Sequence, residues 1–272
     1  MLKLAAFADE ISPDLNVQIE HLKKNGVAYV ELRGVAGKNV LDFDPALRKE
    51  IKTRLADNGL AVACIGSPIG KVKLAAPWEQ HFDRFKIAVE LAEYFAAPLI
   101  RIFSYFEAFP AGRAEVMRRM QAKVDYLGNR PITLVHENEA RIYGEKAAQC
   151  VEIHQTIRSP KLKAAFDFAN FIQAGEDPAV NWPMLKPFTA HIHIKDAIKG
   201  TGKVVPAGRG DGHIGAILKD AYASGYRGFL TLEPHLKVAG PSSGETGPEL
   251  FRVAVDALRQ VCRDNGVPLA GR

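Results

Sequence analysis

Short apolar runs rich in β-branched residues alternate with amphipathic segments of helical period along the chain. The apolar runs predict strands over residues 3–8, 28–32, 61–66, 98–103, 132–137, 163–167, 190–194 and 228–233. The amphipathic segments predict helices over residues 13–25, 45–58, 78–96, 112–127, 144–158, 176–186, 213–224 and 246–265. The helix over 45–58 is the clearest, because Asp44 suits its N-cap, Pro45 its first turn and Gly59 its end.

This alternation predicts a (β/α)8 TIM barrel. Strands that alternate with helices are parallel and joined by crossovers, and eight such units can close into a barrel. The alternative is an open doubly wound sheet, which carries a glycine-rich dinucleotide fingerprint after its first strand. The corresponding segment here, FADEISPDL, contains no glycine. We therefore expect one TIM-barrel domain over residues 1–272.

Four side chains that suit a divalent metal stand at the ends of four predicted strands: Glu137, Asp167, His193 and Glu233. The carboxyl ends of barrel strands meet around one pocket, so we expect these side chains to converge. Three carboxylates and one imidazole make an oxygen-rich site, which favours Mn²⁺, Mg²⁺ or Co²⁺ over a thiolate zinc site. Buried carboxylates this close repel one another unless a metal ion or protons hold them. The alternative is four unrelated polar residues at strand ends.

Alternation along the seventh predicted strand places His191, His193 and Lys195 on one face. Polar residues that face a barrel interior indicate an accessible pocket there. Lys195 is predicted either to contact a substrate hydroxyl or to form an ion pair with Asp196 or with a ligand carboxylate.

Composition and charge narrow the classes of partner. Hydrophobic residues make up 47% of the chain and charged residues 25%, as in an ordinary globular protein, so disorder is not expected. The net charge is +5, but Lys and Arg are scattered, and we expect no nucleic-acid partner. The three cysteines, Cys64, Cys150 and Cys262, lack the spacing of a disulfide framework or a structural zinc site.

The start of the chain, MLKLAAFADE, has an apolar stretch too short for a signal sequence. No window approaches the roughly 18 uninterrupted apolar residues of a membrane span. Together with the cysteine pattern, these features predict a soluble cytoplasmic protein with no membrane partner.

The order of the strand-end motifs resembles the sugar isomerase and epimerase group of xylose isomerase-like barrels. The resemblance rests on Glu137 in HENE, Asp167 in DFAN, His193 in HIHIKD and Glu233 in GYRGFLTLEP. It extends along essentially the whole chain, beginning with FADEIS and YVELRG. The group includes ketose 3-epimerases, hydroxypyruvate isomerase and inosose dehydratase, and it is related more distantly to the zinc apurinic endonucleases.

The resemblance implies that Glu137, Asp167, His193 and Glu233 bind one divalent ion, with Mn²⁺ expected first and Mg²⁺, Co²⁺ or Zn²⁺ as alternatives. It also implies that Glu137 and Glu233 are catalytic, one removing a proton beside a carbonyl and the other returning it from the opposite face. The metal would polarise the carbonyl and stabilise the enediolate, while a ligand carboxylate keeps its second oxygen free as the base. Relatives are often dimers or tetramers, which implies a homo-oligomer.

Further substrate-binding residues are predicted around these ligands: Lys195, His235, Arg209, Asn170, Glu31 and Glu10. His235 is a candidate for contacting substrate or for holding a ligand carboxylate in place. Glu31 and Arg33 end the second strand, where an acid and base pair forms either a substrate clamp or a salt bridge. Arg209 lies in the glycine-rich stretch PAGRGDGHIG, which suits a phosphate at a helix N-terminus, although relatives have a similar turn with sugars that carry no phosphate.

One position departs from the ketose epimerases, which carry a histidine three residues after the aspartate ligand. This chain has Asn170 there. The ends of strands three and four, IGSP and IFSY, also lack the additional histidines of the zinc endonucleases. A three-zinc nuclease is therefore not expected, and the identity of the sugar stays open.

These features predict a metal-dependent isomerase or epimerase that moves a proton beside the carbonyl of a small sugar or keto-sugar substrate. The alternative is a metal-dependent lyase or dehydratase acting on a keto sugar or inosose, with Lys195 or His235 as an added acid. The third hypothesis is a sugar-binding barrel without catalytic activity, and the intact set of four ligands weighs against it.

Overall fold

The computed structural model describes residues 1–239 and 244–270. Eight parallel strands form its centre: β1 (Leu2–Ala6), β2 (Tyr29–Leu32), β3 (Ala61–Ile65), β4 (Leu99–Ile102), β5 (Thr133–Glu137), β6 (Leu162–Asp167), β7 (Thr189–Ile194) and β8 (Phe229–Leu232). Each strand pairs with the next along the chain, and β8 pairs back to β1 with Thr231 beside Ala5. The sheet is thus closed, which confirms the predicted (β/α)8 barrel and excludes the open sheet.

Helices follow the strands and surround the barrel. The main ones are α1 (Leu15–Lys24), α2 (Pro45–Asp57), α3 (Trp78–Phe95), α4 (Arg113–Leu127), α5 (Ala147–Ile157), α6 (Pro178–Leu185), α7 (Ile214–Ala223) and α8 (Gly247–Asp264). The Asp44 carboxylate accepts the Leu47 amide at 2.9 Å and so caps α2 as predicted. A short helix, Phe168–Gln173, follows β6 directly and was not predicted.

The barrel interior has two zones. The lower zone is a small apolar plug, made of Ala5, Ala63, Cys64, Leu99, Val135, Ala165 and Phe229. Above the plug, towards the carboxyl ends of the strands, buried charged side chains replace apolar ones, including Glu31, Arg101 and Glu137. The plug fills the lower part of the barrel. The polar zone above it lies at the carboxyl ends of the strands, which is the face where barrel enzymes carry their sites.

All three cysteines are free and buried, in agreement with the absence of a disulfide framework. Across residues 1–239 and 244–270, the helices fall short of the length and apolarity that a membrane crossing requires. Residues 240–243 and 271–272 belong to the predicted single domain but lie outside the described residues.

Candidate metal centre

The four strand-end side chains converge at the upper end of the barrel interior. Glu137 and Asp167 end β5 and β6, His193 lies on β7, and Glu233 follows β8. One ligand atom of each lies within 4.8 Å of the others. His193 Nδ1 is 3.3 Å from Glu137 Oε1 and 3.4 Å from Glu233 Oε2. The structure therefore brings together the residues that the sequence singled out, and their role as metal ligands stays a prediction.

Two buried atoms in this cluster have no hydrogen-bond partner among the described residues, namely His193 Nδ1 and Asp167 Oδ2. Asp167 Oδ2 lies 3.0 Å from Lys195 Nζ, but not in line for a hydrogen bond. An unsatisfied buried polar atom costs free energy of folding, and imidazole nitrogen and carboxylate oxygen are atoms that divalent ions bind. The residues present therefore fit one divalent ion, which Glu137, Asp167, His193 and Glu233 would hold.

A carboxylate deeper in the barrel fixes the orientation of the histidine. Glu31 is 0% exposed, and its Oε2 lies 3.2 Å from His193 Nε2 and 2.6 Å from His191 Nε2. Although burial alone favours the neutral acid, the charges of His193 and His191 hold the pKa of Glu31 well below its ordinary value. The prediction that Glu31 contacts substrate is therefore not supported, because it lies behind the histidine and turns Nδ1 towards the carboxylates.

Two buried arginines contact the ligand glutamates. Arg101 Nη1 lies 3.2 Å from Glu137 Oε2, and Arg33 Nη1 lies 3.1 Å from Glu233 Oε1. Although burial opposes ionisation, the charges of His193 and Arg101 hold the pKa of Glu137 at about 2. A guanidinium thus lies beside the second oxygen of each glutamate, and the expectation that this oxygen acts as the base stays a prediction.

Lys195 is the third cation at the cluster. Its Nζ lies 3.0 Å from Asp167 Oδ2 and 3.4 Å from Glu233 Oε2. Of the predicted alternatives, the ion pair with ligand carboxylates is confirmed and the pair with Asp196 is wrong. Internal cations thus balance part of the negative charge of these carboxylates, in addition to whatever a metal ion or protons contribute.

Protons would compete with a metal ion at two of the predicted ligands. Burial raises the pKa of Asp167 to about 7, and Lys195 opposes only part of this effect. Burial alone would lower the pKa of His193, but the carboxylates of Glu137 and Glu31 raise it well above its ordinary value. Both groups therefore hold protons in the metal-free protein at mildly acidic pH, and a metal ion must displace them.

The affinity for Mn²⁺ should therefore rise between about pH 6 and pH 8, by up to roughly tenfold per pH unit for each proton displaced. The affinity rises with pH because the pKa values of Asp167 and His193 are raised. At any pH below these values, the protonated forms of the two side chains compete with the ion. Titration followed by the paramagnetic resonance of free Mn²⁺ measures the affinity at each pH. An affinity that stays constant or weakens over this pH range would contradict the assignment of Asp167 and His193 as metal ligands.

A cavity of about 250 Å³ opens beside the cluster. Lys195, Asn170 and His235 line it, as the prediction that they contact substrate requires. Asn170 Nδ2 also donates to Glu137 Oε1 at 3.2 Å, so it helps to position that carboxylate. Phe106 also lines this cavity.

Glu10 supports His235 from behind. Glu10 is 2% exposed, and its Oε2 accepts the His235 backbone amide at 2.9 Å and the Thr246 hydroxyl at 2.8 Å. His235 Nε2 lies 3.2 Å from Glu10 Oε1 and 3.4 Å from Glu233 Oε1. Glu10 therefore holds His235 at the cavity wall, and its contact with substrate stays a prediction.

The glycine-rich stretch binds an internal carboxylate. The backbone amides of Gly208, Gly210 and Gly212 donate to Asp196 at 2.9, 3.0 and 2.9 Å. Arg209 is exposed and does not line the cavity beside the cluster. The amides that would suit a phosphate therefore already have an anionic partner, which favours the alternative of a turn that binds no phosphate. The substrate contact by Arg209 stays a prediction.

Comparisons with known proteins agree with this architecture. A family model described as a xylose isomerase-like TIM barrel matches residues 19–261. The 3-dehydroshikimate dehydratase of Bacillus anthracis is 20% identical over 182 residues, which are 65% of this chain and 65% of that protein. The match thus spans just under two thirds of the length of that curated relative.

Two solved structures extend the likeness to almost the whole chain. A xylose isomerase-like TIM barrel protein from Mycobacterium smegmatis in complex with magnesium has a TM-score of 0.75 at 16% identity, with 97% of both chains covered. A D-allulose 3-epimerase from Methylomonas sp. has a TM-score of 0.73 at 15% identity, with 96% of this chain and 98% of that chain covered. At these identities the two structures establish a shared fold, and the family model establishes kinship. The chain belongs to the family of xylose isomerase-like TIM barrels.

Proposed function

We propose that this protein is a metal-dependent isomerase or epimerase that moves a proton next to the carbonyl of a small hydroxylated keto compound. The observation that carries the proposal is the convergence of Glu137, Asp167, His193 and Glu233, in which one imidazole nitrogen and one carboxylate oxygen have no hydrogen-bond partner among the described residues. The epimerase and the magnesium complex among the structural relatives support it. Mn²⁺ as the ion, a homo-oligomeric state and a cytoplasmic location accompany the proposal as expectations.

The protein's own residues suit the proton transfer. A divalent ion bound there would polarise the substrate carbonyl and so acidify the neighbouring C–H group. Glu137 and Glu233 reach the cluster from either side of His193, at 3.3 and 3.4 Å from its Nδ1, and they serve as the carboxylates that remove and return the proton. Arg101 and Arg33 keep these carboxylates ionised, which is the state that a base requires.

A lyase is the second candidate, and the position of Lys195 favours it. Lys195 Nζ lines the cavity 3.4 Å from Glu233 Oε2, and although burial opposes its charge, Asp167 and Glu233 raise its pKa. In an elimination, Glu137 takes the proton beside the carbonyl, the electron pair forms a carbon–carbon double bond, and the leaving hydroxyl takes a proton from Lys195 and departs as water. The dehydratase among the relatives supports this alternative.

Nuclear magnetic resonance in D₂O separates the two outcomes. The Mn²⁺-loaded protein is incubated with a panel of ketoses, inososes and 3-keto sugars, and the Mn²⁺ is removed before spectra are recorded. Deuterium beside an inverted or relocated carbonyl is the result expected for an isomerase or epimerase, whereas loss of water indicates the lyase. If protein that has retained its metal shows neither deuterium incorporation nor loss of water with any compound, both candidates are ruled out.

A further inference from the structure

One arginine in the wall of the cavity beside the metal cluster has no ionic or hydrogen-bonded partner for its side chain among the described residues. It is Arg141, whose guanidinium makes neither contact although the residue lines the cavity. Asn170 donates to Glu137, and the other polar side chains of the wall also have partners within the chain: Lys71, Glu139, Gln173, Lys195, Glu233 and His235. Arg141 therefore brings a positive charge to the wall that no described residue balances.

The backbone around Arg141 is held in a strained conformation. Its φ angle is +64°, in the left-handed region that arginine rarely adopts. The Arg141 backbone amide donates to Glu145 Oε1 at 3.1 Å, and the next residue, Ile142, is buried and pairs with Phe106 in an antiparallel β-bridge. The guanidinium carbon lies 5.9 Å from the centroid of the Phe106 ring, which also lines the cavity. Strain of this kind persists only where the surroundings fix it, and it is common at positions that clamp a ligand.

The cavity has an enclosed end and an open end. Lys195 and Glu233, which belong to the metal cluster, are 5% and 4% exposed, whereas Arg141 is exposed. A compound that reacts at the cluster therefore occupies the enclosed end and extends towards Arg141. The cavity volume of about 250 Å³ lies below the roughly 300–1,000 Å³ of pockets for drug-sized ligands, so a compact molecule would reach both ends.

A guanidinium without an internal anion suits a carboxylate. The two groups form parallel hydrogen bonds in a planar, bidentate arrangement. A carboxylate carries one negative charge, which matches a single unbalanced cation, whereas a phosphate monoester carries about −1.5 to −2 at neutral pH. Lys71 does not supply a second free cation, because its Nζ lies 2.7 Å from Glu139 Oε2.

We propose that Arg141 binds a carboxylate at the end of the substrate that points away from the metal cluster, so that the substrate class is a small hydroxylated keto acid. The proposal rests on the proposed function, because it assigns the keto end of the substrate to the cluster. Arg141 then determines specificity: it selects keto acids over neutral keto sugars and takes no part in the proton transfer.

Calorimetry with probes that differ at one carbon tests this inference without turnover. D-fructose, D-fructuronate and D-fructose 6-phosphate carry a hydroxymethyl, a carboxylate and a phosphate group at the same end, and D-tagatose with D-tagaturonate repeats the first comparison in another configuration. All are titrated into Mg²⁺-loaded protein carrying Glu137→Gln, which suppresses proton transfer. In at least one pair, the acid should bind about fivefold or more tightly than its neutral counterpart, and D-fructuronate should bind more tightly than the 6-phosphate.

Two arginine variants in the same background locate the gain. Arg141→Met should reduce the affinity for the acid to that for the neutral ketose, while the affinity for the neutral ketose stays within about twofold. Arg158→Met is the matched control and should keep the preference, because Arg158 is also exposed and has a φ of +48°, but it lies at the end of α5 and outside the cavity wall. A smaller gain for both acids, tighter binding of the 6-phosphate, or a preference that survives Arg141→Met would overturn the inference.

Deuterium exchange by the wild-type protein separates this inference from the proposed function. Exchange with neutral ketoses, combined with equal affinity for acids and neutral compounds, would overturn the inference alone. A preference for acids that depends on Arg141, in a protein that neither exchanges deuterium nor releases water with any compound including the acids, would instead defeat the proposed function alone.

Discussion

Replacing Glu137 with glutamine should lower the rate of deuterium exchange by about 10²–10⁴-fold, the range that a general base contributes. The amide has nearly the same shape as the carboxylate, but it cannot take up the proton and carries no charge towards a metal ion. It also removes the nearer anionic partner of Arg101, whose Nη1 lies 3.2 Å from Glu137 Oε2 and 4.0 Å from Glu233 Oε1. The substrate is the keto compound that exchanges in the D₂O panel, and the readout is the initial rate by nuclear magnetic resonance.

The matched control is Glu93→Gln on α3, where the glutamate is exposed and pairs with Arg130 at the surface. This variant should retain the wild-type rate. Metal content of both proteins, measured by elemental analysis, separates loss of the ion from loss of the base. A Glu137→Gln protein that exchanges deuterium within about threefold of the wild type would show that Glu137 is not the base.

Replacing Arg101 with methionine should lower the free energy of unfolding of the metal-free protein by about 3–5 kcal/mol, the usual loss when one partner of a buried ion pair is removed. Arg101 is 3% exposed, and its guanidinium lies between the rings of Phe7 and Phe103 at 4.9 and 5.0 Å from their centroids. Methionine fills similar space but leaves the Glu137 carboxylate without its guanidinium. Urea unfolding measures the difference.

Mn²⁺ should reduce this loss, because an ion at the cluster supplies positive charge beside the same carboxylate. Arg118→Met is the control, since Arg118 is half exposed and pairs with Glu115 on the surface of α4, and it should cost at most about 1 kcal/mol. If Arg101→Met cost no more than Arg118→Met, then Arg101 would not stabilise the buried cluster as described.

The fold was predictable because barrel strands and helices are encoded locally. The sequence shows apolar runs of strand length, helix caps such as Asp44 and a regular alternation of strands with helices. Eight parallel units of this kind can close into a barrel. The short helix Phe168–Gln173 was not predicted, and it begins directly after β6 without an intervening loop. Its N-cap is Asp167 itself, whose Oδ1 accepts the Asn170 amide at 2.7 Å.

The four ligands were predictable for the same reason, because parallel strands bring their carboxyl ends together. The cations around them were harder to predict. Arg101 stands between Ile100 and Ile102 in an apolar strand, and alternation alone places it inside the barrel. That signal was present in the sequence, but it does not say which carboxylate the guanidinium meets.

The sequence also did not predict how deep in the barrel a side chain lies. Glu31 was expected at a strand end, yet the pairing between β2 and β3 shifts register between Val30 and Glu31, and the side chain lies enclosed behind His193. The Asp196 carboxylate likewise accepts hydrogen bonds from the glycine amides, which the glycine-rich pattern alone would allow to bind any anion. Both outcomes depend on contacts between segments distant in sequence, which local patterns do not specify.

Anomalous diffraction from a crystal loaded with Mn²⁺ tests the central claim, that four strand-end side chains hold one divalent ion. We expect one peak per chain at the Mn absorption edge, roughly 2.0–2.4 Å from one oxygen each of Glu137, Asp167 and Glu233 and from His193 Nδ1. A fully loaded crystal with no peak at this point, or with its peak at other residues, would contradict the claim.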